Sequence, residues 1–353
     1  MKILHVITSL RTGGAEKLMV DLLPRLRTLG NDVELLLFNG TRTPFYDELE
    51  KTGIKIHHLS IGDNVYNPLN IIRLMKYIRK YDIFHTHNTA CQYFVPLAKS
   101  LFNAKCKLFT TEHNTFNRRR KYVLFKVIDK FIYKRYHGII SISEKATENL
   151  KKFIGKGFEI VTIENGIDTS KYTQLKSADF SKKEKIITMI AGFRHQKDQD
   201  TLIRTMSLLP NEYKLWLVGD GERRKILEYM VTELGLTERV KFCGISSEIP
   251  QTLEQSHVIV LSSHWEGLSL SSIEGMASGR PFVASDVDGL REIVGGYGVL
   301  FPHQDSVALA NEIQSLCENQ EKYNQIASAC QKRAKQYDIN IMAEKYNNVY
   351  HEL

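Results

Sequence analysis

Two doubly wound α/β domains in tandem are predicted by the chain's length, by an alternation of short apolar runs with longer amphipathic segments, and by a restart of that alternation midway. At 353 residues the chain exceeds what one ordinary core uses and suits two. Apolar or β-branched runs at 2–8, 32–38, 54–59, 82–86, 107–111 and 138–141 read as strands. Amphipathic segments separate them, for example 15–29, which Gly30 stops as a C-cap. This order implies a mostly parallel sheet with helices on both faces. A second series starts near Glu184, with strands expected at 185–191, 213–218, 240–243, 258–261 and 281–284, and the chain after Asp305 is nearly all helical in pattern. Between the series, Glu164-Asn165-Gly166-Ile167-Asp168-Thr169-Ser170 is turn-rich and suits a hinge over 164–172. The expected domains are 1–165 and 173–335, with 336–353 a helix packing back on the first. Ligands in such sheets bind beyond the carboxyl ends of the strands, so the expected site is a cleft between two facing Rossmann-like domains that close about the hinge.

Composition bounds the function classes. Hydrophobic residues make up 42% and charged residues 25%, as in ordinary globular chains. No stretch approaches the roughly 20 apolar residues that cross a bilayer. The N-terminal Met1-Lys2-Ile3-Leu4-His5-Val6-Ile7-Thr8 alternates like a strand and has no small-residue cleavage site. Cys91, Cys106, Cys243, Cys317 and Cys330 contain no Cys-x-x-Cys pair, which argues against a disulfide framework and for a reducing compartment. A cytoplasmic protein is expected, at the inner face of the membrane if its basic surface meets lipid.

That basic surface is uneven. Residues 1–180 hold 29 Lys and Arg against 17 Asp and Glu, whereas residues 181–353 hold 19 against 23. Only the first half is therefore expected to face an anionic partner. Its most basic segment, 118–136, has helical spacing, with Leu124, Val127, Ile128, Phe131 and Ile132 on one face and Lys126, Lys130 and Lys134 on another. The apolar row is expected to bury against the sheet, leaving the cations open to an anionic membrane surface. Nucleic acid is not expected as a partner, because no recognition-helix motif, RNP-like aromatic pattern or zinc finger occurs.

The segment with the strongest chemical content is His264-Trp265-Glu266-Gly267-Leu268-Ser269-Leu270-Ser271-Ser272-Ile273-Glu274-Gly275-Met276-Ala277-Ser278-Gly279-Arg280-Pro281, which follows an apolar strand and enters a helix. Such a turn offers backbone N–H groups and the positive end of a helix dipole to a phosphate, here through Ser269, Leu270 and Ser271, with Gly267 and Leu268 also expected to bind the donor. Glu274 is placed to accept hydrogen bonds from a ribose, and Glu266, at the strand end, to face the sugar. Gly13 and Gly14 join a strand to a helix and let backbone approach a phosphate closely. Lys197 and Arg194, just after a strand, supply cations for a departing diphosphate. Gly244 and Ile245 open the loop where base contacts are expected. His85-Thr86-His87 invites a zinc reading, but no third ligand of suitable spacing is evident, and no metal is expected. No Ser-His-Asp set, P-loop or H-E-x-x-H is present, which leaves transfer of a group already activated by its leaving nucleotide.

At this point the sequence resembles a family. Glu266 and Glu274 are similar to the E-x7-E signature of retaining family-4 glycosyltransferases, and the likeness runs along the whole chain. Thr12-Gly13-Gly14-Ala15-Glu16 resembles that family's first glycine loop, and Thr110-Thr111-Glu112-His113-Asn114 its histidine motif. Glu164-Asn165-Gly166-Ile167-Asp168 is similar to its linker, and Gly219-Asp220-Gly221-Glu222-Arg223 to its Gly-Asp-Gly turn. The resemblance implies a GT-B fold and no metal cofactor. It implies transfer from a nucleotide-sugar, with UDP preferred, to a glycan or lipid-linked acceptor, and contact of His113 with the donor sugar near the reacting carbon. Front-face departure and attack would retain configuration. The chain departs from the pattern where Gly192 stands in place of the family's usual arginine. Arg194 is expected to substitute, because two residues along an extended strand point the same way. Two other readings of such a chain are a nucleotide-sugar epimerase and a non-catalytic binding subunit.

Overall fold

The computed structural model describes residues 1–11, 13–62, 64–113, 122–155, 157–246 and 248–352. The chain forms two compact units, one of Met1–Gly166 with Ile339–Leu353 and one of Ile167–Asp338.

In the first unit, the strands β1 (Lys2–Ile7), β2 (Asp32–Asn39), β3 (Lys55–Ser60), β4 (Ile83–His87), β5 (Lys107–Glu112), β6 (Gly138–Ser141) and β7 (Ile160–Thr162) make one sheet. Its order is β3-β2-β1-β4-β5-β6-β7, and all its pairings are parallel. The order reverses direction between β1 and β4, which leaves a crevice at their carboxyl ends. β1 is buried over five of its six residues, as a strand covered on both faces must be. One face is covered by the helix Gly14–Thr28 and by the helix Ile339–Glu352, whose Ile339, Met342, Tyr346 and Tyr350 enter the same core as Ile3, Ile7 and Phe109.

The second unit repeats the plan with β8 (Lys185–Ile190), β9 (Tyr213–Val218), β10 (Val240–Gly244), β11 (Val258–Leu261), β12 (Phe282–Ser285) and β13 (Val299–Phe301). Its order is β10-β9-β8-β11-β12-β13, again with parallel pairings, and the reversal lies between β8 and β11. The return to the first unit begins at Ile339 rather than at 336. Tyr337 is buried in the second unit's core, and Ile167 pairs in parallel with Asp338. β7 and β13, three residues each, were not anticipated. A run that short shows no alternation to read.

The basic helix departs from expectation. Residues 118–121 lie outside the described ones, and the helix runs Val123–Tyr133. Of the predicted inward row only Ile132 is buried, whereas Leu124, Val127 and Phe131 are 68, 65 and 53% exposed. The stripe that meets the domain is Phe125, Asp129, Ile132, Tyr133 and Tyr136, about 100° round the helix from the predicted row. Its polar anchor explains the rotation: the fully buried Asp129 carboxylate accepts a hydrogen bond from Tyr93 Oη. A carboxylate held this way outweighs the pull of a few methyl groups, because leaving it inside without its donor would cost several kcal/mol.

Candidate functional site

In the second unit, the crevice between β8 and β11 receives the two loops that carry the charged residues. β8 ends at Ile190, and the chain turns rather than continuing as a strand. Arg194 N–H donates to the Gly192 carbonyl at 2.9 Å, and a short 3-10 turn follows at His195–Lys197. The alternation invoked for residues 192 and 194 therefore does not apply. The loop folds back so that Arg194 Nε lies 3.8 Å from where a Cβ on Gly192 would stand.

The Gly-Asp-Gly turn holds this loop. A Cβ on Gly219, whose φ is +140°, would collide with the Ala191 carbonyl oxygen, and one on Gly221 would stand 2.6 Å from the Phe193 carbonyl oxygen. Phe193 N–H donates to Asp220 O at 2.9 Å, and the Arg223 guanidinium makes two hydrogen bonds to Asp200 at 2.7 and 2.9 Å. Asp198 takes a left-handed conformation at φ 47° and caps the next helix by accepting from Thr201 N–H and Thr201 Oγ.

These supports carry Lys197 to Glu266. Lys197 Nζ lies 2.5 Å from Glu266 Oε1, which also accepts from Ser263 Oγ at 2.6 Å. Gln196 Nε2 reaches Glu266 Oε2 at 3.4 Å and donates to the Trp265 carbonyl at 2.9 Å. Glu266 is 7% exposed, so its charge is held by a nearly dry ion pair with further donors on both oxygens. Gly289, at φ +86°, lets the backbone of its loop press against the Glu266 carbonyl. Ser263 and Gln196 were not anticipated; the sequence signal for Ser263 is its position three residues before Glu266 at the end of β11. Beside this pair, His264 Nδ1 lies 2.8 Å from His303 Nε2 and 3.7 Å from Asp198. Desolvation lowers the His264 pKa, with Asp198 opposing the shift.

The remaining second-unit candidates line the turn after β11. Gly267, Leu268 and Ser269 lead into the helix Leu270–Ala277, where Ser269 sits at the N-cap position in extended conformation. Its hydroxyl meets Ser271 Oγ at 2.9 Å and makes no side-chain cap bond. First-turn amides that a cap would have engaged are thus presented beyond the strand end. Glu274 lies in the second turn of this helix and is half-buried. Gly275 lets the helix touch the sheet, because a Cβ there would stand 2.6 Å from the Phe282 ring. Gly244 ends β10 at φ +72° and accepts from Gly219 N–H, and Ile245 beyond it is 64% exposed. Ser247 lies outside the described residues.

The first-unit candidates form a separate group. Gly13 precedes the helix Gly14–Thr28, but the carboxylate of Glu16 occupies the space beside it, so a phosphate there would meet a negative charge. Burial raises the Glu16 pKa, and Asn88 Nδ2 donates to it at 3.4 Å. His113 follows β5, and its Nε2 lies 2.8 Å from His87 Nδ1.

The third imidazole that spacing did not reveal is His5, which pairs in register with His85 across β1 and β4. His5, His85 and His87 are fully buried, and their nitrogens lie within 4.8 Å of one another. The rings stack with interplanar angles of 7°, 11° and 4°, so their lone pairs lie in near-parallel planes. His5 Nδ1 and His87 Nε2 are already bonded to each other at 3.0 Å. A tetrahedral ion needs lone pairs that converge, and this stack does not supply them.

Comparison with known proteins follows these geometries. The model described as Glycosyltransferase Family 4 matches residues 12–171, and that of Glycosyl transferases group 1 matches residues 170–333. N-acetyl-alpha-D-glucosaminyl L-malate synthase of Bacillus anthracis is 25% identical over 288 residues, covering 77% of this chain and 75% of its own. UDP-Gal:alpha-D-GlcNAc-diphosphoundecaprenol alpha-1,3-galactosyltransferase of Escherichia coli is 26% identical over 314 residues, covering 82% of this chain and 80% of its own. The crystal structure of Anabaena HepE in complex with UDP and glucose matches with a TM-score of 0.86 at 23% identity, covering 100% of both chains. Sucrose-phosphate synthase from Thermosynechococcus elongatus matches with a TM-score of 0.80 at 19% identity over 100% of this chain and 99% of its own. These two structures share the fold.

Proposed function

The chain belongs to the family-4, group 1 glycosyltransferases, and from that premise we propose that it moves a hexosyl or N-acetylhexosaminyl unit from a UDP-sugar to a glycan or lipid-linked acceptor, with retention of anomeric configuration. The product would be a surface polysaccharide or glycolipid; two relatives are named for O-antigen biosynthesis and for capsular polysaccharide biosynthesis. The observation that carries the reading is the ion pair of partly buried Lys197 with buried Glu266 at the switch point of the second sheet, next to a helix N-terminus without a side-chain cap. Lys197, Arg194 and the amides of Ser269, Leu270 and Ser271 would hold the diphosphate as negative charge develops on it. Glu274 would bind the ribose, and Gly244 and Ile245 the base. Glu266 would face the sugar, and His113 is assigned a contact with the donor sugar near its reacting carbon. No metal is needed, because lysine, arginine and helix dipole supply the positive field. Support for a UDP-sugar and a lipid-linked acceptor comes from the E. coli relative, whose name gives both.

Calorimetric titration with UDP, GDP and ADP tests the donor site. UDP is expected to bind at micromolar concentration, about −8 kcal/mol, and a UDP-sugar to be slowly hydrolysed. Glu274→Ala is expected to weaken UDP by tenfold or more through loss of the ribose contact. Absence of binding below about 1 mM for all three nucleotides would overturn the assignment.

We further propose that the helix Val123–Tyr133 rests on an anionic bilayer. Leu124, Val127 and Phe131 form an exposed apolar row, and the exposed Lys126, Lys130 and Lys134 supply the complementary charge. Among the described residues no helix is long and apolar enough to cross a membrane. Each lysine near the surface contributes about 1 kcal/mol, so replacing all three by glutamine should lower partition onto phosphatidylglycerol vesicles about a hundredfold. Equal sedimentation of the native and substituted proteins with such vesicles would refute this contact.

A further inference from the structure

His113 is the outer end of a continuous line of polar groups that crosses the first sheet beneath the helix Ile339–Glu352. His113 Nε2 meets His87 Nδ1 at 2.8 Å, and His87 Nε2 meets His5 Nδ1 at 3.0 Å. His5 Nε2 lies 3.4 Å from Tyr350 Oη, which in turn is 2.6 Å from His85 Nδ1. His85 Nε2 meets Thr111 Oγ at 2.8 Å, and Thr111 Oγ meets Tyr346 Oη at 3.0 Å. Apart from the partly exposed His113, every member is buried.

Burial holds His5 at a pKa of about 3 and His113 at about 4, and keeps His85 and His87 well below their ordinary value. All four rings are then neutral at pH 7, each with one N–H and one lone pair. A ring that donates through one nitrogen must accept through the other, so the tautomers along the line are coupled. Two directions are open to it. If His113 donated from Nε2, each proton would point inward and the last donor would be the Tyr346 hydroxyl. Among the described residues Thr111 is the hydrogen-bond partner of Tyr346 Oη, and in this direction Thr111 would itself be donating to it. The Tyr346 O–H would be buried without an acceptor, at a cost of about 1–3 kcal/mol. In the opposite direction Tyr346 donates to Thr111, Thr111 to His85 Nε2, His85 Nδ1–H to Tyr350, and Tyr350 to His5 Nε2. His5 Nδ1–H then donates to His87 Nε2, and His87 Nδ1–H to His113 Nε2. This direction leaves no buried donor unspent.

We propose that Tyr346 and Thr111 act through this line as positioning residues that set the tautomer of His113, so that its Nδ1 carries the proton and donates a hydrogen bond to the substrate. The assignment follows from satisfying the network. It also says what His113 does not do. With Nε2 occupied by His87 and Nδ1 protonated, His113 has no lone pair for proton abstraction, so it binds a sugar oxygen and is not a general base. The role in transfer rests on the reading of His113 as a donor-sugar contact; the tautomer itself does not.

The test uses the full-length protein labelled with 15N-histidine, whose two ring nitrogens have distinct shifts when protonated and unprotonated. At pH 7.5 His5, His85, His87 and His113 are expected to carry the proton on Nδ1; protonation of His113 on Nε2 overturns the proposal. Thr111→Val removes the hydroxyl on which Tyr346 and His85 meet. In this variant the single His113 form should become a mixture, with kcat reduced about tenfold and KM changed less than twofold. Thr111→Ser should restore both signatures. A His113 spectrum unchanged in Thr111→Val overturns the coupling. A mixed tautomer with undiminished kcat leaves the coupling standing and overturns the contact of His113 with the donor sugar.

Discussion

Glu266→Gln is expected to reduce transfer about 10²–10³-fold while UDP binds as tightly as before, or more tightly. The two effects separate because Glu266 and Lys197 hold each other at 2.5 Å. Glutamine keeps the volume and can still accept from Ser263, so the fold has little reason to respond. Removing the charge leaves the Lys197 ammonium with more of its field to spend on the diphosphate, which favours nucleotide binding. The same change takes away the negative group paired with Lys197, which would face positive charge developing on the departing sugar. Glutamine is the better probe than alanine: alanine would bury Lys197 without a partner, at a cost of about 3–5 kcal/mol, and a loss of activity would be confused with a loss of structure. The comparison to make is kcat against the UDP dissociation constant, with thermal unfolding as control. Full turnover in Glu266→Gln would remove this residue from the mechanism.

Mild acid should destabilise the first unit steeply. His5, His85, His87 and His113 are held neutral by burial, so their native pKa values lie below the unfolded value near 6.5. Below that value the unfolded chain binds protons that the native one refuses, and stability therefore rises with pH. The contribution is complete above pH 6.5. It is lost as pH falls towards the native values, about 4 for His113 and about 3 for His5. Each imidazole withdraws about 1.4 kcal/mol per pH unit, so the four together remove about 5 kcal/mol by pH 5.5, comparable with the whole stability of many domains. Desolvation of His137 adds in the same direction, and that of His257 and His264 acts likewise on the second unit. Urea unfolding between pH 7.5 and 5.5 should show the uptake of about four protons or more. His5→Gln should reduce that slope by about one proton. A flat profile over this range would contradict the neutral, buried cluster.

The parts of this molecule that were legible in the sequence are those with a period or a turn chemistry. Parallel strands buried on both faces announce themselves as apolar runs, and the restart near Glu184 separated the two sheets. Glu266 and Lys197 were each readable from their position just past a strand. Their mutual contact was not, because it depends on the fold bringing the loops after β8 and β11 to one switch point 69 residues apart in sequence. The rotation of the basic helix was missed because hydrophobicity counts cannot weigh Asp129, a polar residue on the inward face whose partner, Tyr93, lies 36 positions away. His85 and His87 stood out by spacing, but His5 reaches them only through strand pairing, and Tyr346 and Tyr350 only through the return of the helix Ile339–Glu352. Substitution of Arg194 at Gly192 was expected from strand alternation, but the strand ends at Ile190 and the chain turns at these residues, which a two-residue period cannot foresee.

The helix Ile339–Glu352 also dictates an order of assembly during synthesis. His5 is made before the tyrosine it meets, which follows 345 positions later. Until that helix is made, the helix Gly14–Thr28 covers only part of the sheet face that carries the imidazoles. The second unit, continuous from Ile167 to Asp338, has by then every residue its core requires. The unit that begins first is thereby the last of the two to be complete. A nascent chain interrupted between the two units would present an unfinished sheet to chaperones and proteases, so incomplete products would be marked for removal by the fold itself.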